Sequence, residues 1–135
     1  MDIKHINSEK HRQFTTQPNE RILENAVKIA VENAEKNNIN LSKYRTMAGN
    51  VTCDKELFRK ISDRKYDIVL ANIVADVIIG IKDIVPVFLK DDGIFITSGI
   101  IEERLDDVVS AYSETDFTQI SEEHQGGWAA LVYKK

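Results

Sequence analysis

Asn72 is the residue in this chain whose type and position best suit chemistry. It closes the run Tyr66-Asp67-Ile68-Val69-Leu70-Ala71, and the helix-starting acid Asp76 follows. An unbroken apolar, β-branched run bounded by charge reads as a central strand buried on both faces. Asn72 then stands at the carboxyl end of that strand, the edge where open α/β sheets place their ligands. Its side-chain oxygen, with the backbone carbonyl of Ile73 beside it, offers acceptors on a rigid support. Such acceptors can orient the lone pair of an amine, provided the amine (pKa about 10.4 for lysine) has lost its proton. The residue type alone leaves a second reading equally open, in which the amide caps the next helix or satisfies a turn.

Other groups carry weaker signals. Gly49-Asn50-Val51 reads by composition as a plain surface turn. Cys53 lies nearby without a base and reads as a small core residue. His5, His11 and His124 show no metal-ligand spacing, so no metal site is expected. Glu102-Glu103 and Asp106-Asp107 read as a solvated helix start, where acids favour the positive end of the dipole. Glu122-Glu123 reads as solvent-facing beside a turn, and Trp128 as a packed strand aromatic.

The elements that would hold these residues alternate between helix and strand. Ile22, Leu23, Ala26, Val27, Ala30, Val31 and Ala34 recur at helical spacing from Asn19 to Lys36, with Asn19 as cap and Asn37-Asn38 as terminator. Tyr44 to Met47 reads as a short strand, and Asp54 to Arg64 as a helix with Leu57 and Ile61 inward. After the Asn72 strand, Asp76 caps a helix to Leu89 that Gly80 and Pro86 should kink or split. Asp91-Asp92-Gly93 is a turn signal before a strand from Ile94 to Ser98, and Glu102 to Tyr112 is helical. Phe117 to Ser121 and Trp128 to Tyr133 form a hairpin about Gly126-Gly127. Asp2 to Ile6 alternates roughly like an edge strand, and Asn7 to Gln17 reads as loop. The pattern predicts an α/β fold with an open, mainly parallel sheet closed by an antiparallel pair.

Composition bounds the function classes. With 135 residues, the chain is long enough for one domain with a core. A net charge of −4 provides no general basic field for nucleic acid. The single cysteine excludes an intrachain disulfide framework and points to a cytoplasmic protein. No apolar stretch approaches the ~20 residues of a membrane span.

Several ordered motifs resemble one family. Asn72-Ile73-Val74-Ala75-Asp76-Val77-Ile78, then Asp92-Gly93, Thr97-Ser98-Gly99-Ile100-Ile101 and Gly127-Trp128-Ala129-Ala130-Leu131-Val132 resemble the PrmA family. These are class I methyltransferases that use S-adenosylmethionine to methylate amino groups of a ribosomal large-subunit protein, L11. The resemblance runs from about Glu24 to the end of the chain. It implies a Rossmann-like class I methyltransferase sheet, incomplete at its N-terminal half and ending in an antiparallel hairpin. Residues 1–19 are then a divergent leader and residues 20–135 a partial methyltransferase domain. It also implies that Asn72 and Ile73 orient the amine, and that Gly49, Asn50, Val51 and Asn72 contact the cofactor. Methyltransferases of planar nitrogens carry an aromatic after the Asn; Val74 and Ala75 stand here, which suits an aliphatic amine.

The front of the domain departs from the pattern. The class begins with a glycine-rich turn against the cofactor's methionine part, yet the first glycine of this chain is Gly49. The ribose-binding acid of the family falls on Arg21 or Leu23. Two functions are therefore expected. One is a protein amine methyltransferase acting on a ribosomal protein, shortened and of reduced activity. The other is a non-catalytic methyltransferase-like fragment serving as an interaction module. Without the glycine strand, the Asp67–Ala71 edge should pair with a second copy or with Asp2–Ile6.

Overall fold

The computed structural model describes residues 2–3 and 20–135. The expected cap Asn19, the loop 7–17, His5 and His11 lie outside the described residues, as do the side chains of Ile22, Leu23 and Ala26. The chain divides into two compact units, Ile6–Leu57 and a second formed by Met1–His5 with Phe58–Lys135.

The first unit contains helix α1, Glu20–Lys36, and the start of helix α2, Lys55–Ile61. Ala34 is buried on α1, and Val27, Ala30 and Val31 are half-buried, as the helical spacing predicts. The helix ends where two asparagines meet. Asn38 takes φ 56°, the left-handed conformation that asparagine tolerates, and the Ile39 amide donates back to Ala34 O at 2.9 Å. The strand expected over Tyr44–Met47 does not form. Its alternation is present, with Tyr44 and Thr46 half-buried and Arg45 and Met47 exposed, but no strand among the described residues pairs with it. A one-turn 3-10 helix, Leu41–Lys43, precedes it. Asp54 caps α2, its Oδ1 accepting from the amides of Glu56 (3.1 Å) and Leu57 (2.9 Å).

The second unit is built on a five-stranded sheet. Its strands are β1 (Asp2–Ile3), β2 (Tyr66–Asn72), β3 (Leu89–Ile101), β4 (Thr118–Gln125) and β5 (Trp128–Lys134), in the order β1-β2-β3-β5-β4. β1 and β2 run parallel, as do β2 and β3; β5 is antiparallel to both β3 and β4. The expected Asp91-Asp92-Gly93 turn is a bulge within β3. Leu89 pairs with Tyr66 and Ile94 with Ile68, so five residue steps on β3 answer two on β2. Helix α3, Ala75–Gly80, and helix α4, Val85–Phe88, are separate, split as Gly80 and Pro86 predict. Asp76 does not cap α3. Val74 occupies that position, and Asp76 instead pairs with Arg104 at 2.7 Å. A 3-10 turn, Glu102–Arg104, leads into helix α5, Leu105–Ser113.

Alternation along the strands sorts the sheet into two unequal faces. One carries Val69, Ala71, Phe95, Thr97, Leu131 and Tyr133, all buried. There Tyr112 of α5 stacks on Tyr133 (centroids 4.8 Å apart) and Phe95 (5.6 Å), and Phe117 completes the cluster. Each such pair adds about 0.5–1.5 kcal/mol beyond area burial. The Tyr112 hydroxyl donates to Ile78 O at 2.9 Å, tying α5 to α3. The opposite face carries Ile68, Leu70, Ile94, Ile96 and Val132, exposed or half-buried. The expectation of a β2 strand buried on both faces is therefore corrected. Ile68 is 51% exposed, because an apolar run states an affinity for cover without supplying one.

Candidate functional site

β2 and β3 end side by side, with Asn72 opposite Ser98 in the parallel ladder. The Ile73 amide continues the pairing by donating to Ser98 O at 3.2 Å. Asn72 is exposed, and its side chain makes no hydrogen bond among the described residues. It is neither a helix cap nor a turn brace. Ile73 is buried, and its carbonyl accepts from no backbone amide among the described residues.

Gly99 fixes what these two groups can do. It takes φ +79°, and a Cβ built there would lie 3.2 Å from Ile73 O and 3.3 Å from Asn72 Oδ1. Any side chain at 99 would fill the space onto which both acceptors open. The glycine leaves that space uncovered, so the two uncommitted oxygens border the same residue. A donor nitrogen resting against Gly99, farther out than a Cβ would be, faces both acceptors and can donate an N–H to each, which points its lone pair outward. Gly99 stands in the motif at the end of β3, where residue type alone assigns it no role. Its signal was a glycine inside a strand pattern, which marks a bulge or a close backbone approach. The β3–β5 register does slip here, between Thr97 and Ile100.

Gly49-Asn50-Val51 belongs to the other compact unit and is built differently. Asn50 Oδ1 accepts from Thr52 Oγ1 at 2.7 Å and from the Thr52 amide at 3.0 Å. Asn50 O accepts from the Asp54 amide at 2.8 Å. Gly49 is required by packing, since a Cβ there would come within 2.7 Å of Leu57 Cδ2. Of the groups at this turn, the amides of Asn50 and Val51 donate to nothing among the described residues. Cys53 is exposed, which corrects its reading as a core residue.

The remaining candidates are accounted for by local contacts. His124 lies between Glu122 (3.0 Å) and Glu102 (3.3 Å), whose hydrogen bonds, Glu122 first, hold its pKa above the ordinary value. Arg104 bridges Asp76 and Asp107, at 2.7 and 2.6 Å. No group of three or more metal-ligating side chains occurs among the described residues. Trp128 is not packed as expected but is 53% exposed, at the start of β5 and opposite Ile101.

Comparison with known proteins identifies the family and the fold. The family model for ribosomal protein L11 methyltransferase (PrmA) matches residues 22–135. The chain belongs to the PrmA family. It is 38% identical over 109 residues to the ribosomal protein L11 methyltransferase of Ruminiclostridium cellulolyticum, covering 81% of this chain and 33% of that protein. To the enzyme of the same name from Agathobacter rectalis it is 44% identical over 87 residues, covering 64% of this chain and 27% of the relative. The crystal structure of ribosomal protein L11 methylase from Lactobacillus delbrueckii superposes with a TM-score of 0.63 at 26% identity. That match covers 76% of this chain and 48% of the other. The fold is thus the Rossmann-like methyltransferase sheet, and the chain spans about a third of the length of the curated relatives it matches.

The cofactor expected of this family is S-adenosylmethionine, and the residues described here fit only part of it. The Asn50 and Val51 amides are free donors in the first unit, and Asn72 Oδ1 and Ile73 O are free acceptors in the second, among the described residues. For the methionine and ribose parts, no glycine-lined turn precedes Gly49 in the sequence. Gly49 itself is committed to Leu57. These residues do not form a cradle for the whole cofactor.

Proposed function

We propose that the chain is the amine-orienting part of an S-adenosylmethionine-dependent methyltransferase of ribosomal-protein amino groups, with residues 20–135 as its partial catalytic domain. The observation that carries this reading is the convergence of Asn72 Oδ1 and Ile73 O over Gly99. The names of the relatives support the substrate, a ribosomal protein. The single cysteine suits a cytoplasmic setting, and the net charge of −4 gives no basic field for direct contact with nucleic acid. When bound, the cofactor supplies an electrophilic methyl group. The task of Asn72 and Ile73 is to hold the deprotonated amine so that its lone pair faces that group. Gly49, Asn50 and Val51 contribute backbone contacts to the adenine.

The incomplete cradle predicts weak binding. Calorimetry with S-adenosylhomocysteine should give an affinity at least about tenfold below that of the Ruminiclostridium cellulolyticum relative, one lost contact of ~1.4 kcal/mol being enough. Equal affinity would mean that other residues complete the cradle. No binding, together with no methyl transfer, would favour the second reading, a non-catalytic interaction module, whose warrant is the same missing glycine turn. A homodimer formed through the β2 side of the sheet belongs to either reading, because Leu70, Ile94 and Ile96 present apolar surface that parallel sheets normally cover. Light scattering should find twice the chain mass; a monomer at all concentrations would overturn the dimer.

A further inference from the structure

The half-open face of the sheet ends, at its carboxyl edge, in an apolar corner that the amine site does not use. Ile101 and Trp128 face each other across β3 and β5, 42% and 53% exposed. Strand alternation puts them on the same side as Asn72 and Ser98 and away from the buried aromatic cluster. The adjoining Gly126-Gly127 turn leaves open space, with no atom within 4 Å of a Cβ built on either residue. The Glu102 amide ties the 3-10 turn to this hairpin by donating to Gly127 O at 3.2 Å.

Charge says what fits there. Around the corner stand Glu102, Glu103, Glu122 and Glu123, with Arg104, already bonded to Asp76 and Asp107, and His124, held between Glu122 and Glu102, as the basic side chains. Glu103 and Glu123 are exposed, with no salt-bridge partner among the described residues. At the amino end of the strands the acids are instead neutralised, Asp67 by Lys90 at 2.7 Å and Asp92 by Lys134 at 3.2 Å. Negative potential therefore collects at the edge that holds Asn72. Nucleic acid is repelled by such a rim, whereas an exposed tryptophan attracts ammonium groups through its ring face.

We propose that the Ile101–Trp128 corner, with its rim of glutamates, docks an extended basic segment of a protein partner and so presents a neighbouring lysine to Asn72. The docking stands on the corner itself; only the presentation to Asn72 rests on the methyltransferase reading. Two strand spacings and about three residues of offset separate Trp128 from Asn72, roughly 13 Å or about four residues of extended chain. The favoured segment therefore carries an aliphatic side chain about four residues from the lysine.

Trp128 is the only tryptophan of the chain, so its fluorescence reports on the corner directly. The test titrates the protein, without cofactor, with a peptide bearing leucine and lysine at that spacing, and with a peptide in which glutamate replaces every lysine. Saturable change is expected with the lysine peptide alone, weakening at least about fivefold between about 50 mM and about 300 mM salt. Ile101→Ser, at an exposed position, should weaken it by a similar factor and keep the reporter. No response, equal response to both peptides, or indifference to Ile101→Ser would overturn the proposal. So would a Trp128 signal that follows protein concentration without peptide, since a second copy would then hold the corner. Because no cofactor is present, failure of S-adenosylhomocysteine binding leaves this result standing. Conversely, Asn72-dependent methyl transfer without peptide binding would overturn the docking alone.

Discussion

Asn72 and Asn50 each stand beside a glycine, Gly99 across the β2–β3 ladder and Gly49 next in sequence, and the family resemblance assigns both asparagines to the site, yet their side chains are in opposite states. Asn50 gives its oxygen to Thr52, and its neighbour Gly49 exists to clear Leu57. Asn72 gives its oxygen to nothing described, and Gly99 keeps the space in front of it empty. Local structure has spent one pair and left the other available. The difference teaches that chemistry-bearing residue types become candidates only after their own turns and caps have been satisfied.

Substituting the two glycines should break the comparison most sharply. Gly99→Ala strains a φ of +79° and places a methyl against Ile73 O and Asn72 Oδ1. It should abolish amine binding and methyl transfer, with a stability loss of about 1–2 kcal/mol. Gly49→Ala should cost a similar ~1–2 kcal/mol by displacing Leu57, while transfer measured below the melting temperature persists. Urea melts paired with transfer assays separate the two cases. Transfer surviving in Gly99→Ala would show that the space above it is not used.

The contrast extends to the core. Tyr112 donates its hydroxyl to Ile78 O, whereas the buried Tyr133 hydroxyl has no partner among the described residues and burial pushes its pKa up to about 12. Tyr112→Phe should therefore cost about 1 kcal/mol, and Tyr133→Phe should be neutral or slightly stabilising. Equal losses in denaturant melts would mean that Tyr133 has found a partner, such as a bound water.

A smaller effect is expected at His124, whose raised pKa makes it more readily protonated in the folded chain than in the unfolded one. Its contribution to stability should be complete below the unfolded value of about 6.5 and lost as pH rises through the folded value. Melting temperature followed across that range should lose this component in His124→Gln. An unchanged slope would show that the Glu122 and Glu102 contacts do not persist in solution.

Much of this was legible in the residues. The end of β2 at Asn72, the α1 terminator at Asn37-Asn38, the split at Gly80 and Pro86, and the Gly126-Gly127 hairpin all follow from local chemistry acting on neighbouring residues. What could not be read depended on partners far along the chain or absent from it. Tyr44–Met47 alternates like a strand, but alternation cannot supply the neighbour that a strand needs. Ile68 reads as core, but what covers a face is decided elsewhere. Asp76 looked like a cap until Arg104, 28 residues away, claimed it. The role of Gly99 needed both its φ and the position of the β2 end, neither of which a lone glycine announces.

The central claim is that Asn72 holds the amine. The direct measurement is methyl transfer from S-adenosylmethionine to ribosomal protein L11 by the wild-type chain and by Asn72→Ala, with both proteins shown by denaturant melts to be equally folded. Slow but measurable transfer is expected in the wild type and a loss of about a hundredfold or more in the variant, the usual cost of removing one preorganised hydrogen-bonding group from a reacting centre. Equal transfer by the two proteins would contradict it.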